Sequence, residues 1–428
     1  MLKILTTILL GLSLHAQDVY TVDELILQAL KNSPDLKISS SQYKASKSRY
    51  EQAFAGYLPK VDLQLSAGEF GLNDLTTTDK SMTNDTLLLG KISLQQLLYD
   101  FGKTKGSVDA LKYGSDSYLS SNEQQISNKK MSVKQAYYEV LQAIALIEVY
   151  KENVKLNEKQ LYRSQKYFEA GIRTKIDISD AKVELIKSKL DLRKGLYNLK
   201  LSYASLDKVV GFMEVDKKYE VYSQSLVLTN IYSSLSEYEL TLKDSINFAY
   251  ENRYELKKYL SDIQSAQSSS VSASSNYYPK LSFYADYTKQ QTDKFEDSLP
   301  EEQWQAALNL NWNIYEGGAT SASTQEKKIN IKISHSQLNN SKLSIKKETT
   351  QAFINVYKMK DSVELAQSLL EVSGDKFDQA QKRYEYGLSD YIELQQSRQG
   401  YIDAKSDLVV NYYDYYNAIA VLDKAIGK

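Results

Sequence analysis

Lys166 to Leu192 reads KYFEAGIRTKIDISDAKVELIKSKLDL, and Lys382 to Leu408 reads KRYEYGLSDYIELQQSRQGYIDAKSDL. The two align without a gap at an offset of 216 residues, and eight of the 27 positions are identical, among them Gly171/Gly387, Ile176/Ile392 and Leu192/Leu408. Each stretch reads as a helix stopped by a glycine, a short turn, and a new helix, because glycine takes the left-handed conformation that ends a helix. Thr174-x-x-Asp177 and Asp390-x-x-Glu393 have the spacing of capping boxes that start the second helix. Gly171 and Gly387 therefore mark the tips of two helical hairpins, and the fold is to be read as a duplication.

Composition narrows the class. Residues 1–16, MLKILTTILLGLSLHA, carry one early lysine, an apolar core and a small final residue, which predicts an export signal. The chain has no cysteine, hence no disulfide framework, no thiolate metal site and no lipid-bearing N-terminal cysteine. A net charge of −1 gives no electrostatic footprint for nucleic acid. No later run reaches the ~18 apolar residues of a membrane helix. Only four prolines and 17 glycines leave room for very long helices.

A second repeat signal precedes the first. Thr21 to Lys37, TVDELILQALKNSPDLK, matches Thr241 to Lys257, TLKDSINFAYENRYELK, at an offset of 220, and helix is predicted to run on to about Gly56. Tyr57-Leu58-Pro59-Lys60 and Tyr277-Tyr278-Pro279-Lys280 end these helices. After each proline the apolar period becomes two: Val61, Leu63, Leu65 and Ala67 in the first copy, Leu281, Phe283, Ala285 and Tyr287 in the second. That alternation predicts strands of ~10 residues with one apolar face, the length of a tilted membrane strand. Polar segments 71–86 and 289–304 are predicted loops, each followed by a returning strand. The clearer return has Ala306, Leu308, Leu310, Trp312 and Ile314 on one face; in the other, Ile92, Leu94 and Leu98 are interrupted by Gln96. Gly102-Lys103-Thr104 imitates the end of a phosphate-binding loop, but Leu97 stands where its first glycine belongs.

Long helices are predicted from Lys103 to about Phe168 and from Ala319 to Tyr384, each ~100 Å long. Val133, Ala136, Tyr137, Val140, Ile144 and Ile147 form the apolar stripe of the first; Phe353, Val356, Val363, Ala366, Leu370, Phe377 and Ala380 form that of the second. Return helices follow over 175–207 and 391–424. The expected division is a signal at 1–16, a first repeat at 17–208, a mixed insert at 209–240 containing strand-like YEVYSQSLVL, and a second repeat at 241–428. The fold class is mainly α with a small β part: duplicated long helical hairpins plus two amphipathic β-hairpins. Four strands cannot close a membrane barrel, which needs about eight or more, and an open edge is not tolerated in lipid. Membrane strands here must therefore be shared among several chains.

The set of duplicated segments resembles the TolC-type outer-membrane efflux proteins. The resemblance is carried, in order, by ALKNSPDLK/AYENRYELK, YLPKVDLQLSA/YYPKLSFYADY, LYDFGK/IYEGGA and YFEAGIRTKIDISDA/RYEYGLSDYIELQQS. It implies a homotrimer sharing one 12-stranded barrel in the outer membrane and a periplasmic α-helical tunnel. It also implies a periplasmic adaptor and an inner-membrane transporter as partners, in efflux or type I secretion. Asp177, Asp180, Glu393 and Gln396 occupy the positions of the acidic periplasmic gate in that family. Gln396 is neutral where an acid can stand, and a basic gate residue would fall at Ser389, whereas this chain carries Arg173 in the first repeat. For Asp177 and Glu393, plain helix capping is the competing reading.

The alternative function is a periplasmic coiled-coil adaptor or scaffold outside the membrane, which two hairpins plus amphipathic strands fit poorly. An exported enzyme fits less well still. Beyond the signal the only histidine is His335, in a polar helical stretch, and no carboxylate pair sits in a setting suited to acid–base work. No cofactor or metal ion is expected.

Overall fold

The computed structural model describes residues 18–73, 82–214, 219–223, 226, 228, 230–292 and 301–428. The expected signal at 1–16 lies outside them. In the first half of the chain the elements are β1 (Asp18–Tyr20), α1 (Val22–Asn32), α2 (Pro34–Phe54), β2 (Lys60–Asn73), β3 (Met82–Tyr99), α3 (Lys103–Glu169) and α4 (Lys175–Val210). There follow β4 (Tyr219–Val221), α5 (Leu242–Asn252), α6 (Tyr254–Ser274), β5 (Lys280–Thr292), β6 (Glu302–Asn311), α7 (Ala319–Glu385) and α8 (Tyr391–Ile426). No helix among the described residues is long and apolar enough to cross a membrane.

Several expectations need correcting. Helix does not run unbroken from Thr21 to Gly56: Ser33 is extended (φ −57°, ψ 121°) and Pro34 opens α2. A proline has no N–H to donate and drives the residue before it out of the helical region. The same break recurs at Arg253 without a proline. There the buried guanidinium reaches Glu348 at 2.7 Å and the Ala425 carbonyl at 3.3 Å. β2, β3 and β5 have 14, 18 and 13 residues, longer than expected, and only β6 has ten. Strand thus takes up both ends of each expected loop, and the remainders, 74–81 and 293–300, lie outside the described residues. Trp312 and Ile314 fall beyond β6. Among the described residues of the insert only Tyr219–Val221 is strand, and it pairs in parallel with β1, which periodicity did not reveal.

The chain divides into two compact units that cut across the repeats. The first takes the chain up to Lys37 with Gln124–Arg253 and Ser344–Lys428. Its core gathers Leu25 and Ala29 of α1, Val133, Tyr137 and Val140 of α3, Leu206 and Val210 of α4, and Tyr219 and Val221 of β4. Both predicted stripes face inward, although Ile144, Phe353 and Leu370 are half-buried, and Ala352 takes the buried place expected of Phe353. Away from the tips the contacts follow the order α4–α3–α8–α7. Lys189 of α4 meets Glu158 of α3 at 3.1 Å. Lys405 and Asp423 of α8 pair with Glu152 and Lys134 of α3. Phe377 of α7 stacks on Tyr401 of α8 with ring centroids 5.6 Å apart. α4 and α8 both end on a left-handed glycine, Gly211 (φ +85°) and Gly427 (φ +86°). A Cβ there would lie 3.1 Å from the backbone of Asn32 or Asn252, so each return helix is stopped hard against the end of α1 or α5.

Buried tyrosines give this unit a definite alkaline limit. Burial pushes Tyr137, Tyr238 and Tyr413 each up to about 12. Because the folded values exceed the ordinary value of 10.0, folding favours the neutral phenols. That contribution is complete below pH ~10 and is lost as the pH rises through ~12. Tyrosinate absorbance should therefore rise in two steps, exposed rings near pH 10 and buried ones near pH 12 together with loss of helix signal. A single step near pH 10 with helicity intact would contradict this burial.

The second unit holds Ile38–Glu123 and Tyr254–Leu343. α3 and α6 approach closely: a Cβ on Gly106 would sit 2.6 Å from both the Ser268 carbonyl and the Ser272 nitrogen. Serine hydroxyls fill this narrow seam, Ser265 donating to the Ala110 carbonyl at 2.7 Å and Ser272 to that of Lys103 at 2.9 Å. The four long strands form one antiparallel sheet in the order β2-β3-β5-β6.

Candidate functional site

Two surfaces are candidates for function, the hairpin tips in the first unit and the sheet in the second. At the first tip α3 ends with Ile172 N–H donating to the Tyr167 carbonyl at 2.8 Å; at the second α7 ends with Leu388 N–H donating to that of Arg383 at 2.8 Å. Gly171 (φ +69°) and Gly387 (φ +75°) are left-handed. Nothing stands within 4 Å of a Cβ at either, so backbone conformation, not space, requires glycine.

Arg173 joins the two tips. Its guanidinium donates to the Ser389 carbonyl at 3.1 Å and the Tyr384 carbonyl at 3.4 Å, and lies 4.6 Å from the centroid of the Tyr384 ring. The Tyr384 carbonyl is at the C-terminal, negative end of α7, where a cation is favoured. Beneath this contact Ala181, Phe377, Ala380, Tyr384, Tyr391 and Leu394 form one apolar cluster. Burial raises the Tyr384 phenol above its ordinary value, opposed by Ser164 and by the Arg173 charge. Arg163 of α3 also reaches Glu385 of α7, at 2.6 Å.

The five candidate polar residues are not equivalent. The Asp177 carboxylate accepts from the Thr174 N–H at 3.0 Å and its hydroxyl at 3.3 Å, so it caps α4. Asp390 caps α8 by accepting from Glu393 N–H at 2.9 Å, but that box is not reciprocal: the Glu393 carboxylate turns to Arg383 at 3.4 Å. Asp180 is half-buried and has no hydrogen-bond or ion-pair partner among the described residues. Gln396 is exposed. Tyr384, Arg383 and the Ser389 carbonyl escaped the sequence reading. The available signal was the repeat's own asymmetry, since Arg173 stands opposite Ser389 at the 216 offset. Among the described residues no group of His, Cys, Asp or Glu could hold a metal ion.

In the sheet, register puts the apolar residues on one face. Leu63 pairs with Ile92, Ile92 with Tyr287, and Tyr287 with Trp304. Val61, Leu94, Ala285 and Ala306 form the next row. This face is open to the surroundings: Leu63, Leu65 and Leu308 are about 70 % exposed. The opposite face carries Asp62, Gln64, Ser93, Asp286, Gln305 and Asn309, with Lys91 and Asp286 3.6 Å apart. Gln96 lies in register with Phe283 on the apolar side, and its amide donates to the Tyr57 carbonyl at 2.9 Å and the Leu97 carbonyl at 2.7 Å. The register shift between Leu97 and Tyr99 follows directly. Aromatic rings stand in the apolar band, Tyr287 and Trp304 in the row of Leu63 and Ile92, beyond which Leu65 and Leu88 continue it, and Tyr99, Phe101, Tyr278 and Trp312 at its other end. β2 and β6 are open edges.

The sequence model described as "Outer membrane efflux protein" matches residues 25–212 and 246–428. Outer membrane protein TolC of Vibrio cholerae serotype O1 is 21 % identical over 410 residues, covering 94 % of this chain and 90 % of that protein. The crystal structure of CusC superposes with a TM-score of 0.83 at 15 % identity, over 95 % of this chain and 92 % of that one. The Campylobacter jejuni CmeC outer membrane channel gives 0.81 at 17 % identity, over 95 % and 85 %. At these identities the solved structures share the fold.

Proposed function

The chain belongs to the outer membrane efflux protein family and is a TolC-type channel, a transport protein rather than a catalyst, and from that premise we propose that three copies form one exit duct. Channels of this family are generally trimeric, and they stand in the outer membrane with a helical extension into the periplasm. The observation that carries the reading is the sheet, with one continuous apolar face, one polar face and two unpaired edges. Three such sheets joined edge to edge make 12 strands, with the apolar faces toward lipid and the polar faces lining a pore. No edge is then left unsatisfied. The duct would take substrates from a periplasmic adaptor and an inner-membrane transporter, in a tripartite efflux or type I secretion system. Its closed end would be the hairpin tips, with Asp180 and Glu393 as the carboxylates facing the passage and Arg173 as the fastener.

The detergent-solubilised protein should have a mass near three chains, and planar bilayers containing it should conduct. A stable monomer that stays in the aqueous periplasmic fraction would favour the adaptor or scaffold reading instead.

A further inference from the structure

We propose that a cavity between α3, α7 and α8, behind the hairpin tips, binds a small tetrahedral oxyanion such as phosphate. The cavity measures about 110 Å³, well above the ~10–15 Å³ that a single water needs. Its polar lining is Lys159, Gln160 and Arg163 of α3, Gln381 of α7 and Arg398 of α8. Phe377 and Leu394 supply apolar wall, and no acidic side chain lines it. α3 belongs to one hairpin, α7 and α8 to the other, so a ligand held here touches both.

Arg398 decides the class of ligand. It is only 4 % exposed, and no carboxylate among the described residues forms an ion pair with it. Burial raises the neighbouring Tyr391 phenol above its ordinary value, opposed by the Arg398 charge, while Glu184 acts in the same sense as burial. That phenol is neutral at ordinary pH, and Glu184 is already bound to Lys187 at 2.7 Å. The guanidinium therefore keeps an unmatched charge, which is costly in a protein interior. The mouth of the cavity adds to the excess. Lys159 and Arg163 stand one turn apart on the same side of α3, where like charges repel. Lys159 is exposed and has no ion-pair or hydrogen-bond partner among the described residues. Arg163 reaches Glu385 at 2.6 Å, and Gln381 donates to the same carboxylate at 3.1 Å. Three cations thus share one acid. An oxyanion would accept from both guanidiniums, whose planar forks match it, with the Lys159 ammonium at the entrance. Gln160 gives one amide N–H to Ser164 at 3.4 Å and Gln381 gives one to Glu385, and each amide has a second to offer.

Calorimetric titration of the detergent-solubilised protein with inorganic phosphate tests the site, with sodium chloride at equal ionic strength as the blank. Phosphate should bind saturably, one per chain, and should raise the melting temperature above that in chloride. Arg398→Met should weaken phosphate binding about tenfold or more, the effect of losing a charge-assisted hydrogen bond. In chloride the same variant should melt no lower than the wild type, because an unmatched buried charge is gone. Lys159→Gln changes an exposed position and so guards against a folding defect. It should weaken phosphate binding severalfold and leave melting in chloride unchanged. A wild-type protein that takes up no phosphate would overturn the site, and a carboxylate of a neighbouring copy filling the cavity would give that result. Binding that neither variant weakens would overturn it as well. So would an Arg398→Met protein that melts lower by the same amount in phosphate and in chloride, since the arginine would then be structural only.

Discussion

Replacing Arg173 with alanine is expected to raise the resting conductance of the channel severalfold. The guanidinium makes two hydrogen bonds to carbonyls of the other hairpin and lies over the Tyr384 ring. A charge-assisted hydrogen bond contributes about 1.5–3 kcal/mol and a cation–π contact about 0.5–2 kcal/mol. Loss of about 3 kcal/mol per chain would shift the ratio of closed to open tips about a hundredfold, since 1.4 kcal/mol is a factor of ten. Arg173→Lys should fall between, because a lysine keeps the charge over the ring but lacks the planar fork that reaches two carbonyls. Single-channel recording in planar bilayers measures this. A well-folded alanine variant with wild-type conductance would remove Arg173 from the closing mechanism. The carboxylates beside it should separate cleanly in the same assay. Asp177→Ala should lower the stability of the tip by about 1 kcal/mol, as loss of a cap does, and leave ion selectivity alone. Asp180→Ala, which removes a carboxylate without a partner, should weaken cation selectivity.

Gly106→Ala is expected to be the most damaging methyl group added at any of the described glycines, costing about 3 kcal/mol, at the upper end of what overpacking does. The added Cβ would stand 2.6 Å from the Ser268 carbonyl and the Ser272 nitrogen. Those are backbone atoms of α6 and cannot swing aside as a side chain does. Gly114, two turns further along the same helix, has nothing within 4 Å of its Cβ position. Gly114→Ala should therefore stabilise by about 0.5–1 kcal/mol through helix propensity alone. Thermal melting of the two variants should move in opposite directions. Two shifts of the same sign would mean that α3 and α6 are not in this close contact.

The duplication was legible because it is written in positions where backbone conformation admits few residues. Gly171 and Gly387 carry positive φ, and the caps Thr174 and Asp390 follow at the same spacing. α3, α4, α7 and α8 all begin where their turn glycines and caps predicted. A third signal of the same kind went unread. Asp207-Lys208-Val209-Val210-Gly211 and Asp423-Lys424-Ala425-Ile426-Gly427 share the offset of 216 and end α4 and α8 alike. Pattern failed where an element is too short to have a period: β1 is three residues, and its partner lies some 200 residues away. It failed differently at the strand ends, where Gln96 and the polar residues near 71–73 and 289–292 read as breaks. In the structure the ladder continues through them, because a ladder is made by backbone groups and tolerates polar side chains at its rims. The asymmetry of Arg173 and Ser389 marked the position of the Arg173 contact, but its partner was out of reach for another reason. The contact joins an arginine of one repeat to a carbonyl of the other, and carbonyls leave no trace in a sequence.

The pairing of β3 with β5 also sets an order of events in time. These central strands are Met82–Tyr99 and Lys280–Thr292, one from each repeat, and the outermost strand ends at Asn311. A chain emerging from its N-terminus holds only the β2–β3 hairpin until residue 280 has followed, and a lone hairpin is marginal in water. Its apolar face and unpaired edge would meanwhile invite wrong partners. Contacts between residues so far apart in sequence form slowly. Entry into the bilayer is therefore a step that waits until the chain is made past Asn311, and the half-made protein has to be shielded on its way there.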